Sequence, residues 1–222
     1  MAVVIALVVT GDDDPPSNSA TATHSSGVSR ASTNPNSGPA GDTPRRAEED
    51  PLALGSADAP VTMVEFADFR CPFCAQFTRD TEPELIKRYV DAGVLRIEWR
   101  DSPIFGEQSR QAARAGRAAA QQGRFWQFVR AVTNAAPSTG HADLNTTDLV
   151  DFARTAGVGD LDRFRTDLAS TRFDAEIDAD AQLAERLFIP TTPAFWINGT
   201  PILGSQPLQV YVDVIDGKVA GN

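Results

Sequence analysis

Cys71 and Cys74 are the only cysteines in the 222-residue chain, and they stand three apart in Cys71-Pro72-Phe73-Cys74. Two thiols at that spacing can close a small disulfide ring and open it again. The run Val61-Thr62-Met63-Val64-Glu65-Phe66 ahead of them reads as a strand, and Ala75-Gln76-Phe77 after them starts a helical pattern. A cysteine at such a junction meets the free N–H groups and positive dipole end of the helix, which favour an anion. Cys71 is therefore expected to be the exposed, low-pKa nucleophile, and Cys74, one turn inside, the shielded partner. Pro72 falls at the first helical position, where a proline costs nothing.

Other chemistries fit the pair less well. A structural zinc site takes four ligands, and Cys-x-x-Cys supplies two. His24 lies in a low-complexity tail and His141 in a loop bordered by Gly, Ser and Pro, so neither a metal nor another cofactor is expected. A purely structural disulfide across so short a loop would add little stability. Two inert buried cysteines would not require so organised a surrounding pattern. The formal net charge is −10 and there is no basic patch, which argues against nucleic acid as a partner.

Residues 1–10 are almost wholly apolar, but a bilayer span needs roughly 20 such residues. The run lacks a basic flank and a small-residue cleavage site, so it reads either as part of a membrane anchor or as a signal h-region. Residues 11–50 are rich in Ser, Thr, Pro, Asn, Gly and Asp and are expected to be a disordered linker. Together they suggest an extracytoplasmic domain, 51–222, held near a membrane.

Within that domain the elements must bring distant residues to the cysteines. Val61–Phe66 should be buried on both faces apart from Glu65. The helix after Cys71 should be kinked or broken at Pro83 and stop at Gly93. Val94–Arg100 alternates apolar and polar residues, so it reads as a strand. Helical patterns then fill about 107–188, including an Ala-rich stretch from Gln108 to Gln122 and a helix opened by Thr146 or Thr147. Ala194–Ile197 and Pro201–Leu203 flank Asn198-Gly199, a hairpin-turn signal, and Leu208, Val212 and Ile215 suggest a last helix. The sum is an α/β domain: a βαβ unit, a helical insertion, then ββα.

Glu65-Phe-Ala-Asp-Phe-Arg-Cys-Pro-Phe-Cys74, the helical insertion, and Thr191-Thr192-Pro193-Ala194-Phe195 before the hairpin together resemble the DsbA-like branch of the thioredoxin superfamily. The resemblance covers roughly residues 52–220 and implies a thioredoxin-like fold with a helical insertion. It implies thiol–disulfide exchange with exported polypeptides that carry free thiols, and a separate partner that reoxidises (or reduces) the site. It implies a cis peptide at Thr192-Pro193 facing the cysteines. It also implies a buried acid at Glu65 that passes a proton to or from Cys74; an ordinary strand glutamate would be solvated or paired with arginine. DsbA oxidases often carry His where this chain has Phe73, so Pro72 and Phe73 should tune the potential toward a milder oxidant. A monomeric oxidase is the expectation. A reductase or isomerase of the same fold, or a redox-inert module binding exported chains, is the alternative.

Overall fold

A computed structural model gives the structure and describes residues 43–221. The apolar segment 1–10 and most of the expected linker lie outside the described residues. Five strands form one sheet: β1 (Ala53–Leu54), β2 (Val61–Ala67), β3 (Leu95–Asp101), β4 (Ala194–Ile197) and β5 (Thr200–Leu203), in the order β1-β3-β2-β4-β5. β2 runs parallel to β3, with Val61 beside Leu95, and antiparallel to β4, with Glu65 beside Phe195. Every residue of β2 is buried, as befits a central strand covered on both faces, and this includes Glu65, which the apolar pattern sets apart as the exception.

Helix α1 (Pro72–Asp80) leaves the end of β2 through a four-residue turn. It breaks at Thr81 and restarts as the short α2 (Glu82–Leu85), with Pro83 in its first turn, before a π-helical turn, Ile86–Val90. The break expected at Pro83 therefore falls just ahead of it, because proline can open a new helix but cannot donate an N–H to the old one. Five helices make the insertion: α3 (Glu107–Ala120), α4 (Phe125–Ala135), α5 (Thr146–Thr155), α6 (Leu161–Ala169) and α7 (Asp174–Arg186). α8 (Leu208–Ala220) closes the domain. The cap of α5 is Asn145 rather than either threonine; its side chain accepts from the N–H groups of Thr147 and Asp148.

Trp99 on β3 joins sheet to insertion. It meets Phe69 at 5.0 Å and Phe125 at 5.6 Å between ring centroids, and Phe69 meets Phe128 at 5.7 Å. α3 approaches closely because its inner face is alanine and glycine. A Cβ on Gly116 would stand 2.8 Å from the ring of Phe69, so no larger residue fits there. At the hairpin tip, Asn198 (φ 41°) and Gly199 (φ 83°) both take the left-handed conformation of a two-residue turn. The Asn198 side chain accepts from Thr62 N–H and donates to the Pro60 carbonyl, each at 2.9 Å.

The polar face of β3 is not wet. Arg96 is 1% exposed and Glu98 0%. The backbone N–H groups of Arg45 and Arg46 donate to the Glu98 carboxylate at 2.6 and 2.8 Å, and Arg96 donates to the Ala47 carbonyl at 2.6 Å. The boundary expected at 50/51 thus cuts through a segment that covers the sheet. Its polar composition hides the fact that its backbone is needed to satisfy buried charges.

Candidate active site

The turn Asp68-Phe69-Arg70 aims Cys71 at the start of α1. Asp68 is 2% exposed, and its carboxylate accepts from the N–H groups of Arg70 and Ile104 at 2.8 Å and of Phe105 at 3.3 Å. Its carbonyl accepts from the Cys71 N–H at 3.0 Å. Arg70 donates to the carbonyls of Ala142 at 2.7 Å and Phe105 at 2.5 Å, which fastens the turn to the insertion. Cys71 is the N-cap residue of α1, and Pro72 occupies the first turn.

The structure brings Cys71, Cys74, Thr192 and Pro193 together. Thr192-Pro193 is cis. Cys71 Sγ lies 3.2 Å from the Thr192 carbonyl, to which the thiol donates, and the Gly204 N–H holds the Pro193 carbonyl at 2.8 Å. Both cysteines are free thiols, each 2% exposed. This corrects the expectation of an exposed Cys71, because the Thr192 loop covers its sulfur. The exposed residue of the motif is Phe73, at 60%.

The two thiols are driven apart in acidity. Cys71 is lowered from 9.0 to about 6, chiefly by a hydrogen bond from the Cys74 thiol. Burial opposes this, and the Thr192 side chain and the N–H groups of Cys74 and Phe73 assist it. As a neutral thiol Cys71 takes no bond from those N–H groups, and the Thr192 hydroxyl has no partner among the described residues. These donors act when the sulfur is an anion. Cys74 is pushed well up by burial, by donating to Cys71 and by the charges of Cys71 and Glu65.

Glu65 lies in β2, fully buried, and neither carboxylate oxygen has a hydrogen-bond partner among the described residues. It is therefore neither solvated nor paired with arginine. Burial, and after it the charge of Glu82, hold its carboxyl well above the usual range. Tyr211 of α8 is raised mainly by burial, with the charges of Glu65 and Cys74 adding to it. Asp68 and Glu82 were not singled out by sequence reasoning. The signal for Glu82 was present: Cys74, Thr78 and Glu82 recur every four residues on one helical stripe. An open cleft of about 550 Å³ adjoins the motif, between Pro72, Phe73, Gln76 and Arg79 on one side and Ser138–Gly140 on the other.

Comparison with known proteins agrees with this geometry. The family model described as thioredoxin matches residues 47–217. The crystal structure of oxidised BdbD from Bacillus subtilis superimposes with a TM-score of 0.72 at 26% identity, covering 76% of this chain and 92% of that one. Disulfide bond formation protein D of Bacillus subtilis is 26% identical over 76% of this chain and 77% of its own length. A Na(+)/H(+) antiporter NhaA 3 of Salinispora tropica is 37% identical over 65% of this chain, yet the match spans only 21% of that protein. A matched fold, a Cys-x-x-Cys at the start of α1 and a cis proline against it leave one assignment: the chain belongs to the thioredoxin family, in its DsbA-like branch.

Proposed function

We propose that this chain is a thiol:disulfide oxidoreductase that introduces disulfides into exported polypeptides. The observation that carries this reading is the placement of Cys71 at the start of α1, with its Sγ 3.2 Å from the Thr192 carbonyl next to the cis Pro193; a pKa lowered to about 6 agrees with it. A substrate thiolate attacks Cys71 Sγ, the Cys71–Cys74 bond breaks, and its electron pair leaves on Cys74, which takes a proton from Glu65. A second substrate thiolate attacks the substrate sulfur of the mixed disulfide, and Cys71 leaves as a stabilised thiolate. The substrate loses two electrons and the cysteine pair gains them. Thr192 and Pro193 border the groove where the substrate backbone lies beside Cys71. Pro72 and Phe73 shape its mouth.

Stabilising the thiolate stabilises the reduced form and raises the potential. With Cys71 at about 6 instead of 9.0, that amounts to about 1.4 kcal/mol at pH 7, or about 30 mV. A separate redox partner reoxidises the pair. The chain acts as a monomer outside the cytoplasm, tethered through its N-terminal region. The likeness to disulfide bond formation protein D supports the placement outside the cytoplasm.

The test is twofold. The preoxidised protein should pass its disulfide to a reduced dithiol peptide. Equilibration with glutathione should give a potential above about −270 mV, the thioredoxin value. A potential at or below that value would favour the reductase alternative, and absence of transfer would favour the binding module. Cell fractionation tests the placement, and a wholly cytosolic protein would overturn it.

A further inference from the structure

The exchange through Cys71, Cys74 and Glu65 described above leaves Glu82 without a role, yet its surroundings are unusual. It is 1% exposed and Glu65 0%. All four of their carboxylate oxygens are buried with no hydrogen-bond partner among the described residues. The two acids belong to different elements, β2 and α2. Glu65 lies opposite Phe195 of β4, whose ring packs 4.4 Å from Phe77 of α1 and 5.1 Å from Tyr211 of α8. Glu82 opens α2 and extends the buried stripe of Cys74 and Thr78. The ionisable groups acting on the pair are Cys74, the Tyr211 hydroxyl and Arg130 of α4, whose charge attracts Glu82.

Two buried carboxyls that repel each other and lack donors cannot both be ionised. One proton must stay between them. Arg130 favours the charge on Glu82, which leaves the proton on Glu65, the acid whose charge Cys74 feels.

We propose that Glu82 is a positioning residue of the redox reaction: it forms a one-proton carboxyl pair with Glu65 and keeps the proton on Glu65, where it can be passed to Cys74. The role rests on the reading in which Glu65 exchanges a proton with Cys74. As the electron pair of the broken disulfide leaves on Cys74 Sγ, the proton moves from the Glu65 carboxyl to that sulfur. Glu65 is left as a carboxylate beside Glu82, and their repulsion draws one proton back from water. The substrate thiol had released that proton, so charge and atoms balance. No electron moves in this step.

The test compares the full chain with Glu82→Gln, Glu82→Asp and Glu65→Gln by infrared difference spectroscopy of the protonated carboxyl stretch against pH. Glu82→Gln should lower the pH midpoint of Glu65 by about one unit, a tenfold loss of proton affinity. The pH profile for reduction of the disulfide by a dithiol peptide should move the same way. Glu82→Asp keeps the charge and should return both toward wild type. Glu82→Met, also uncharged and of similar volume, repeats the measurement should Gln fail to fold. An unmoved Glu65 midpoint overturns the pair. A moved midpoint with an unmoved rate profile overturns its part in the reaction. A wild-type chain with no exchange activity overturns the underlying reading instead, and it is recognised before any variant is compared.

Discussion

The thiolate of Cys71 makes a quantitative demand on its reactivity with a small alkylating reagent. Cys71 titrates at about 6, against about 8.5 for a free cysteine. At pH 5.5 it is then about one-quarter ionised and a free thiol about one-thousandth, a ratio of roughly 240. Lower basicity also makes the sulfur a weaker nucleophile, by about 13-fold for this difference at a Brønsted slope near 0.45. The net expectation is a reaction about 20-fold faster than free cysteine at pH 5.5, about twofold faster at pH 7, and several-fold slower at pH 8.5. Burial of Cys71 scales every rate alike, so the diagnostic quantity is the fall of about 100-fold in that ratio across the range. Stopped-flow alkylation of the reduced protein, with Cys71→Ser to identify the reacting residue, measures it. Cys74→Ala removes the strongest donor and should move the midpoint up. A Cys71 midpoint near 8.5, or faster reaction of Cys74, would refute the assignment of the nucleophile.

The same profile tests the Thr192 loop. Thr192→Val removes a buried hydroxyl and should raise the Cys71 midpoint by about one pH unit, the worth of one hydrogen bond to an anion. Phe73→Ala should leave the midpoint near 6, because Phe73 reaches Cys71 through its N–H and not its ring; a rise toward 8.5 would contradict this. Asp68→Ala strands the N–H groups of Arg70, Ile104 and Phe105 and should cost about 3 kcal/mol in urea unfolding, whereas a loss below about 1 kcal/mol would mean that the turn holds itself. Glu82 titrates at about 7 when folded against 4.5 ordinarily, so the folded state binds the extra proton and loses stability as pH rises through that window. Glu82→Gln should therefore gain on the wild type by up to about 3 kcal/mol from pH 4.5 to above pH 7, and a constant difference between the two would remove that linkage.

Much of this site was legible in one dimension because its parts carry strong local signals. Cys-x-x-Cys between an apolar run and a helical pattern, and Thr-Pro ahead of Asn-Gly, each mark a backbone event as well as a residue type. What escaped was burial. Arg96 and Glu98 alternate with apolar neighbours as a wet face would, yet the backbone of Arg45 and Arg46 covers them. Nothing in a polar, proline-rich stretch distinguishes a tether from a strap that satisfies a buried carboxylate. Glu82, next to Pro83, has the composition of a solvated helix start, and only its spacing from Cys74 reveals the inner face. Cys71 was expected in solvent because a nucleophile must be reached. The Thr192 carbonyl instead lies against its sulfur.

The asymmetry between the two thiols comes from burial of Cys74 and from one interaction that acts on both sulfurs. The Cys74 thiol donating to Cys71 is the first cause of the low pKa of Cys71 and, after burial, the first cause of the high pKa of Cys74. Losing the Cys74 proton would remove the donor and place a second anion beside the first. The reduced pair therefore holds a single negative charge, and it lies on Cys71, where α1 begins. Exchange has to move that charge to Cys74 whenever Cys74 is the leaving sulfur, in a site with no N–H groups of a helix start to receive it. A proton must arrive as the bond breaks, and burial is the first cause that holds the Cys74 thiol well above its usual range. A neutral carboxyl on the adjacent strand meets that need, whereas an ionised one would oppose it. In the exchange proposed above, the burial of Glu65 with no partner among the described residues, costly for a folded protein, is the condition under which it would serve as an acid.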